Sequence, residues 1–227
     1  MTAINKQLEA FVYSIAHDLR APLRAMQGFS TMLVEEAGPA LNEAGRNFAQ
    51  RISRSAQFMD ALLADLLAFS RIAQERIELV PLGLENIVKS TVSRLEKEIQ
   101  EKNARVEIAG PWPTVVAHEP TLGQVLTNLV GNALKFVQPE TPPLIRLRPE
   151  DQGGFVRVWI EDNGIGIAPE HQDQIFRLFA RLHGETYVGT GIGLAIVQKG
   201  IERMGGRVGV ESTPGQGSRF WFELRKV

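Results

Sequence analysis

The first 75 residues most limit the folds open to this chain. Apolar side chains recur there every three or four positions: Leu8, Val12, Ile15, Leu19, Leu23, Met26, Phe29 and Leu33, then Phe48, Ile52, Ala56, Met59, Leu63, Leu66 and Ile72. That period belongs to a helix with one buried stripe. Leu62, Leu67 and Phe69 widen the second stripe. Between the stripes, Ala37-Gly38-Pro39-Ala40-Leu41-Asn42 has turn chemistry. The segment therefore reads as a helical hairpin. Two helices cannot bury stripes this wide by themselves. Either two copies join in a homodimeric four-helix bundle, the more economical solution, or the hairpin caps a second domain of the same chain.

From Leu79-Val80-Pro81-Leu82 the pattern changes, and Pro81 marks the expected boundary between domains 1–78 and 79–227. A helix is expected over 84–102, short strands over 104–108 and 114–116, and a helix over 119–137. Strands follow at 144–148 and 155–162, helices at 169–180 and 194–204, and strands at 207–212 and 218–225. Thr213-Pro214-Gly215-Gln216-Gly217 reads as the turn between the last two strands. A mixed sheet with helices on one face, an α+β architecture, satisfies this order.

Composition narrows the function classes. Basic and acidic side chains number 25 and 26, giving a net charge of −1, and no basic stripe occurs, so nucleic acid is not an expected partner. With no cysteine there are neither disulfides nor thiolate metal sites, which fits a cytoplasmic location. No apolar run approaches the roughly 20 residues of a membrane span, and the N-terminus lacks a signal-peptide pattern.

Four short motifs carry the candidate chemistry. In His17-Asp18-Leu19-Arg20-Ala21-Pro22-Leu23, His17 lies two positions from both Ile15 and Leu19. Two helical steps turn about 200°, so His17 is expected to point away from the seam. A surface histidine alone is unremarkable. Here Asp18 can orient or deprotonate the imidazole, and neutral imidazole is abundant at pH 7. Pro22 removes a helix hydrogen bond and favours a bend beside the histidine, unless it simply ends the helix.

In Asn128-Leu129-Val130-Gly131-Asn132-Ala133-Leu134-Lys135-Phe136, Asn128, Asn132 and Lys135 share one helix face. Two amides and an ammonium suit a metal–phosphate cluster, though an ordinary polar outer face reads the same way. Asp162-Asn163-Gly164-Ile165-Gly166 closes a strand, with glycines that let the backbone approach a flat ligand. A simple turn after a strand gives the same pattern. Gly189-Thr190-Gly191-Ile192-Gly193-Leu194 opens a helix, and backbone N–H groups there favour phosphate. It is neither a P-loop nor a protein-kinase glycine loop.

Taken in order, these motifs resemble the H, N, G1 and G2 boxes of sensor histidine kinases, over nearly the whole chain. The short spacing between the glycine motifs, with the His-Asp-Leu-Arg-Ala-Pro-Leu run, is similar to phytochrome-like and PAS-linked members. The resemblance implies a dimerisation and histidine phosphotransfer domain at 1–78. It implies a catalytic ATP-binding domain at 79–227, with the fold shared by gyrase, Hsp90 and MutL ATPases. ATP and Mg2+ would be bound, with Asn132 as metal ligand and Asn128 and Lys135 on the phosphates. Asp162 would accept a hydrogen bond from the adenine amino group beside Gly164 and Gly166. Gly189, Gly191, Gly193 and Leu194 would line the phosphate site. Phe176 and Phe179 match the family's F box and are read as hinge packing. Residues 181–188 would form a mobile lid, from which Arg177, Arg181 or His183 could reach phosphate. His17 would take the γ-phosphoryl group and pass it to the receiver domain of a separate response regulator. An upstream sensor domain is absent from these residues. Two other classes fit the motifs less well. ATPases of the same fold carry a catalytic glutamate where this chain has Asn128, a poor base. A non-enzymatic scaffold would not need all four motifs intact.

Overall fold

The computed structural model describes residues 3–38, 40–74, 76–182, 187 and 189–227, with side chains from residue 18 onward. The chain divides into two compact units. One holds Met1–Gln74 with Val188–Thr190, and the other holds Glu75–Tyr187 with Gly191–Val227.

The first unit is the helical hairpin. Helix α1 spans Ala3–Glu36 and α2 spans Glu43–Gln74. α1 runs through Pro22 without a break. Gly38 closes α1, because a Cβ there would meet the Val34 carbonyl oxygen at 2.2 Å. α2 starts at a side-chain cap: the Gly45 N–H donates to Asn42 Oδ1 at 2.8 Å, satisfying a donor with no helical partner. The inner surface of the hairpin is small. Leu23, Ser30, Ala49, Ala56 and Ile72 are buried, whereas Leu19, Met26, Phe29, Met32, Leu33, Phe48, Ile52 and Met59 are exposed. The expected seam thus splits. Among the described members Leu23, Ala56 and Ile72 turn inward, and most of the large ones line the outside.

The second unit is a mixed sheet with helices on one face. A small antiparallel pair, β1 (Val80–Gly83) and β3 (Thr114–Ala117), forms a second sheet, bridged to the chain end by Val115 and Lys226. Pro81 therefore lies inside a strand. The main sheet has the order β2-β4-β5-β7-β6, built from Arg105–Ile108, Leu144–Asp151, Phe155–Asp162, Ser218–Arg225 and Arg207–Ser212. Only the β2–β4 pair is parallel. Helices α5 (Glu119–Lys135) and α7 (Gly193–Arg203) pack together and against the sheet, with α3 (Leu84–Arg94) beyond α5. Leu122, Leu126, Leu129, Ile145, Val158, Val197 and Phe222 belong to this core.

Two expected elements come out differently, and one is added. The helix over 84–102 is two helices, α3 and α4 (Glu96–Glu101), interrupted at Leu95, which is buried with φ −95° and ψ 6°. The helix over 169–180 is only α6, Pro169–Gln172. Beyond it the chain makes successive short turns, such as Arg177 N–H to the Gln174 carbonyl and Ala180 N–H to the Arg177 carbonyl. Phe179 then takes a left-handed φ of 64°, which a helix cannot continue. β1 is an addition, hidden in the sequence by its central proline.

Within this unit, no described element forms a further layer on the sheet face away from the helices. Its side chains cover it themselves. Trp159 and Trp221 stand opposite each other on β5 and β7, their rings 6.4 Å apart. Arg157 lies 4.2 Å from the Trp221 ring and donates to Glu223 Oε1 through Nε at 3.0 Å. The Trp159 indole N–H donates to Glu150 at 2.6 Å, and Arg148 Nε donates to Glu161 at 2.9 Å. The Trp159 bond, ahead of Arg148, holds the Glu150 carboxyl below the usual carboxylate range. Gly209 faces Trp221, whose indole fills the space of a Cβ.

Candidate active site

Asp162 ends β5 beside the first residue of β7, Ser218. Its Oδ1 accepts the Gly164 N–H at 2.8 Å and the Ser218 N–H at 3.0 Å. Its Oδ2 accepts from no described residue. Burial is the largest influence on this carboxyl and raises it to about 6, partly offset by the two N–H groups. A carboxylate is thus anchored through one oxygen and offers the other.

The surrounding loop is fixed by backbone packing. A Cβ on Gly164 would meet the Phe136 carbonyl oxygen at 2.3 Å. One on Gly166, whose φ is +71°, would meet the Thr213 carbonyl oxygen at 2.0 Å. These glycines are therefore required by neighbouring carbonyls, independently of any ligand. The Ile165 N–H donates to the Phe136 carbonyl at 2.9 Å, tying the loop to the end of α5. Asn163 is structural, since its Oδ1 accepts the Leu144 N–H and its Nδ2 donates to the Pro142 carbonyl.

On α5, Asn128 Nδ2 donates to the Gln124 carbonyl at 3.0 Å. That bond turns Oδ1 toward Gly193, where an added Cβ would come within 2.9 Å of it. The second and fourth motifs are therefore in contact. Asn132 is half-buried, and its side-chain amide bonds to no described residue. Lys135 Nζ sits 4.4 Å from the centre of the Phe136 ring. Gly191 has a φ of +75°, and its α-carbon lies against the Phe179–Ala180 backbone. Gly193 and Leu194 begin α7, whose first turn carries no acidic side chain. Gly189 falls with the first unit, and Gly191, Gly193 and Leu194 with the second.

Of the F-box pair, Phe176 packs against the core, but Phe179 is 58% exposed and does not pack as a hinge. Arg177 and Arg181 are exposed. His183 and most of the expected lid lie outside the described residues. The His17 side chain does too, although its backbone belongs to α1. Asp18 is exposed.

Two participants were not expected. Ser218 is buried and polar at an inward position of β7, where Phe220, Phe222 and Leu224 are apolar. That break in alternation was a usable signal. Tyr187 donates its hydroxyl to the Val137 carbonyl at 2.9 Å. Nothing in the sequence marked it.

Residues 117–227 match the family described as histidine kinase-, DNA gyrase B-, and HSP90-like ATPase, and residues 7–75 match the His Kinase A (phospho-acceptor) domain. The chain belongs to the sensor histidine kinases. It corresponds to their catalytic core and is homologous to the phytochrome-type kinases. It is 34% identical to cyanobacterial phytochrome B of Nostoc over 98% of its own length and 30% of the relative's. It is 34% identical to the phytochrome-like protein Cph1 of Synechocystis, over 97% and 29%. It therefore spans about a third or less of these relatives' length. Among solved structures, full-length ShkA in complex with AMPPNP superposes with a TM-score of 0.70 at 30% identity, covering 96% of this chain and 46% of that one. The nucleotide-free catalytic domain of the histidine kinase ThkA gives 0.57 at 29% identity, covering 66% and 97%. Among the described residues, no helix of this kinase core is long and apolar enough to cross a membrane.

Proposed function

We propose that this kinase core phosphorylates its own His17 from ATP and passes the phosphoryl group to an aspartate on a separate response regulator. The observation that carries the reading is the Asp162 carboxylate, anchored through Oδ1, with Oδ2 bonded to no described residue. Such an oxygen accepts the amino group of adenine and repels the carbonyl of guanine.

The residues present also fit a magnesium triphosphate. Among the described residues, no cluster of acidic, histidine or cysteine side chains could hold a metal unaided. The oxygens on offer are amide oxygens, which suits an ion that keeps several waters and phosphate oxygens. Asn132 would hold the ion, with its half-buried amide not engaged elsewhere. Asn128 and Lys135 would meet the phosphates, and so would the backbone of Gly189, Gly191, Gly193 and Leu194. Magnesium, when bound, supplies neutralising charge. Phosphoryl transfer depends mainly on such positioning. Asp18 would orient the His17 ring, whose nitrogen forms a bond to phosphorus as ADP leaves. Asn128 argues against a hydrolytic role, since an amide already bonded to the Gln124 carbonyl is no base for water.

Residues 1–78 would be the dimerisation and phosphotransfer domain, and residues 79–227 the catalytic ATP-binding domain. The exposed Phe29, Phe48, Ile52 and Met59 support a homodimeric four-helix bundle. A cytoplasmic setting and a sensor domain elsewhere complete the reading.

Labelled ATP with magnesium tests it. The chain should incorporate an acid-labile, alkali-stable phosphoryl group, and His17→Gln should abolish labelling while still binding nucleotide. Undiminished labelling of that variant would remove His17 from the reaction.

A further inference from the structure

We infer that Tyr187 is a positioning residue for the triphosphate end of the nucleotide, acting through Phe136 on Lys135. The inference rests on the ATP-binding reading above. Lys135 has a long, flexible stem, and its ammonium is drawn to the face of the Phe136 ring, 4.4 Å from the centroid. The position of the ring is therefore one of the things that set where the ammonium stands. Phe136 is the first residue past α5, with φ −89° and ψ 55°, so no helix hydrogen-bond ladder continues beyond it.

Two distant segments hold it instead. The Ile165 N–H fixes its carbonyl at 2.9 Å, and Tyr187 fixes its ring, the centroids 5.3 Å apart at 51°. Tyr187 is itself anchored through its hydroxyl to the Val137 carbonyl at 2.9 Å, fifty positions away. The phenol thus serves twice: the ring braces Phe136, and the hydroxyl satisfies the next carbonyl along. Asp162 and its partners Gly164 and Ser218 make no such contact with Tyr187, and the loop meets Phe136 at its carbonyl, which the Ile165 N–H holds separately from the ring, so adenine recognition should change little.

The full chain can be titrated with a non-hydrolysable ATP analogue plus magnesium by calorimetry, and with adenosine by ligand-observed NMR. Tyr187→Leu should weaken the analogue about tenfold, the range of a lost cation–π alignment, while adenosine stays within about twofold. Tyr187→Phe keeps the ring and should recover most of the affinity. In autophosphorylation, KM for ATP should rise in Tyr187→Leu with kcat little changed. Tyr187→Leu binding the analogue like the parent chain overturns the inference, and so does an equal loss for adenosine, which would mean general disruption of the site. A parent chain that binds neither compound would overturn the proposed function itself.

Discussion

Asp162 uses its two oxygens differently, and this makes its charge state measurable. Below about pH 4 the carboxyl is protonated in folded and unfolded chains alike. Between there and about 6 the unfolded chain ionises first, so stability falls as pH rises; above about 6 the full cost of the buried charge is present. Nucleotide binding runs the other way, because the acceptor oxygen needs the ionised form. Affinity for an ATP analogue should therefore decline as pH drops through about 6. Asp162→Asn separates the two effects. Its carbonyl oxygen can still accept from Gly164 and Ser218, so at pH 7 the nucleotide-free variant should melt no lower than its parent, with a gain of up to about 3 kcal/mol. Its adenine affinity should fall, and its pH dependence near 6 should disappear. Calorimetry and thermal melting across pH 5 to about 8 check both. A variant that melts lower and keeps its affinity contradicts the assignment.

Individual elements were legible where one force dominated. Strands β5, β6 and β7 follow the expected ranges because they alternate along most of their length, apolar side chains facing the helices and mostly Arg, Trp or Glu facing out, with Ser212 and Ser218 as the polar exceptions inside. α5 follows because its apolar stripe is continuous. The stretch beyond Gln172 misled because apolar spacing cannot reveal that the Gln172 amide leaves the helix for the Ile167 and Ser212 carbonyls. The positions of the site motifs could be read from the sequence, but the reason for the glycines could not. That reason lies in carbonyls of Phe136 and Thr213, far away along the chain. Two changes probe this scale. Asn42→Ala removes the side-chain cap of α2 and should cost about 1 kcal/mol in chemical denaturation. Arg157→Ala strips a guanidinium stacked on Trp221 and leaves the largely buried Glu223 without its partner, and should cost about 2 kcal/mol. Nucleotide affinity should be unchanged in both, since neither residue touches the site.

At the scale of the molecule, the hairpin has its large side chains on the wrong side for a lone chain. Phe29 is 70% exposed and Phe48 60%, while among the hairpin's described residues only Leu23, Ser30, Ala49, Ala56 and Ile72 are buried. Ile52→Glu should shift the chain toward monomer in sedimentation, because a charge at an apolar interface is left unpaired. Binding of the ATP analogue should persist, because the nucleotide residues of the second unit stand on a separate core. The small interior has another outcome, which concerns heating. With so little apolar volume enclosed between its own two helices, the hairpin gains most of its cohesion from a second copy, and forming the helices becomes inseparable from meeting a partner. Its melting temperature should then climb as the solution is made more concentrated, while that of the sheet unit stays where it is.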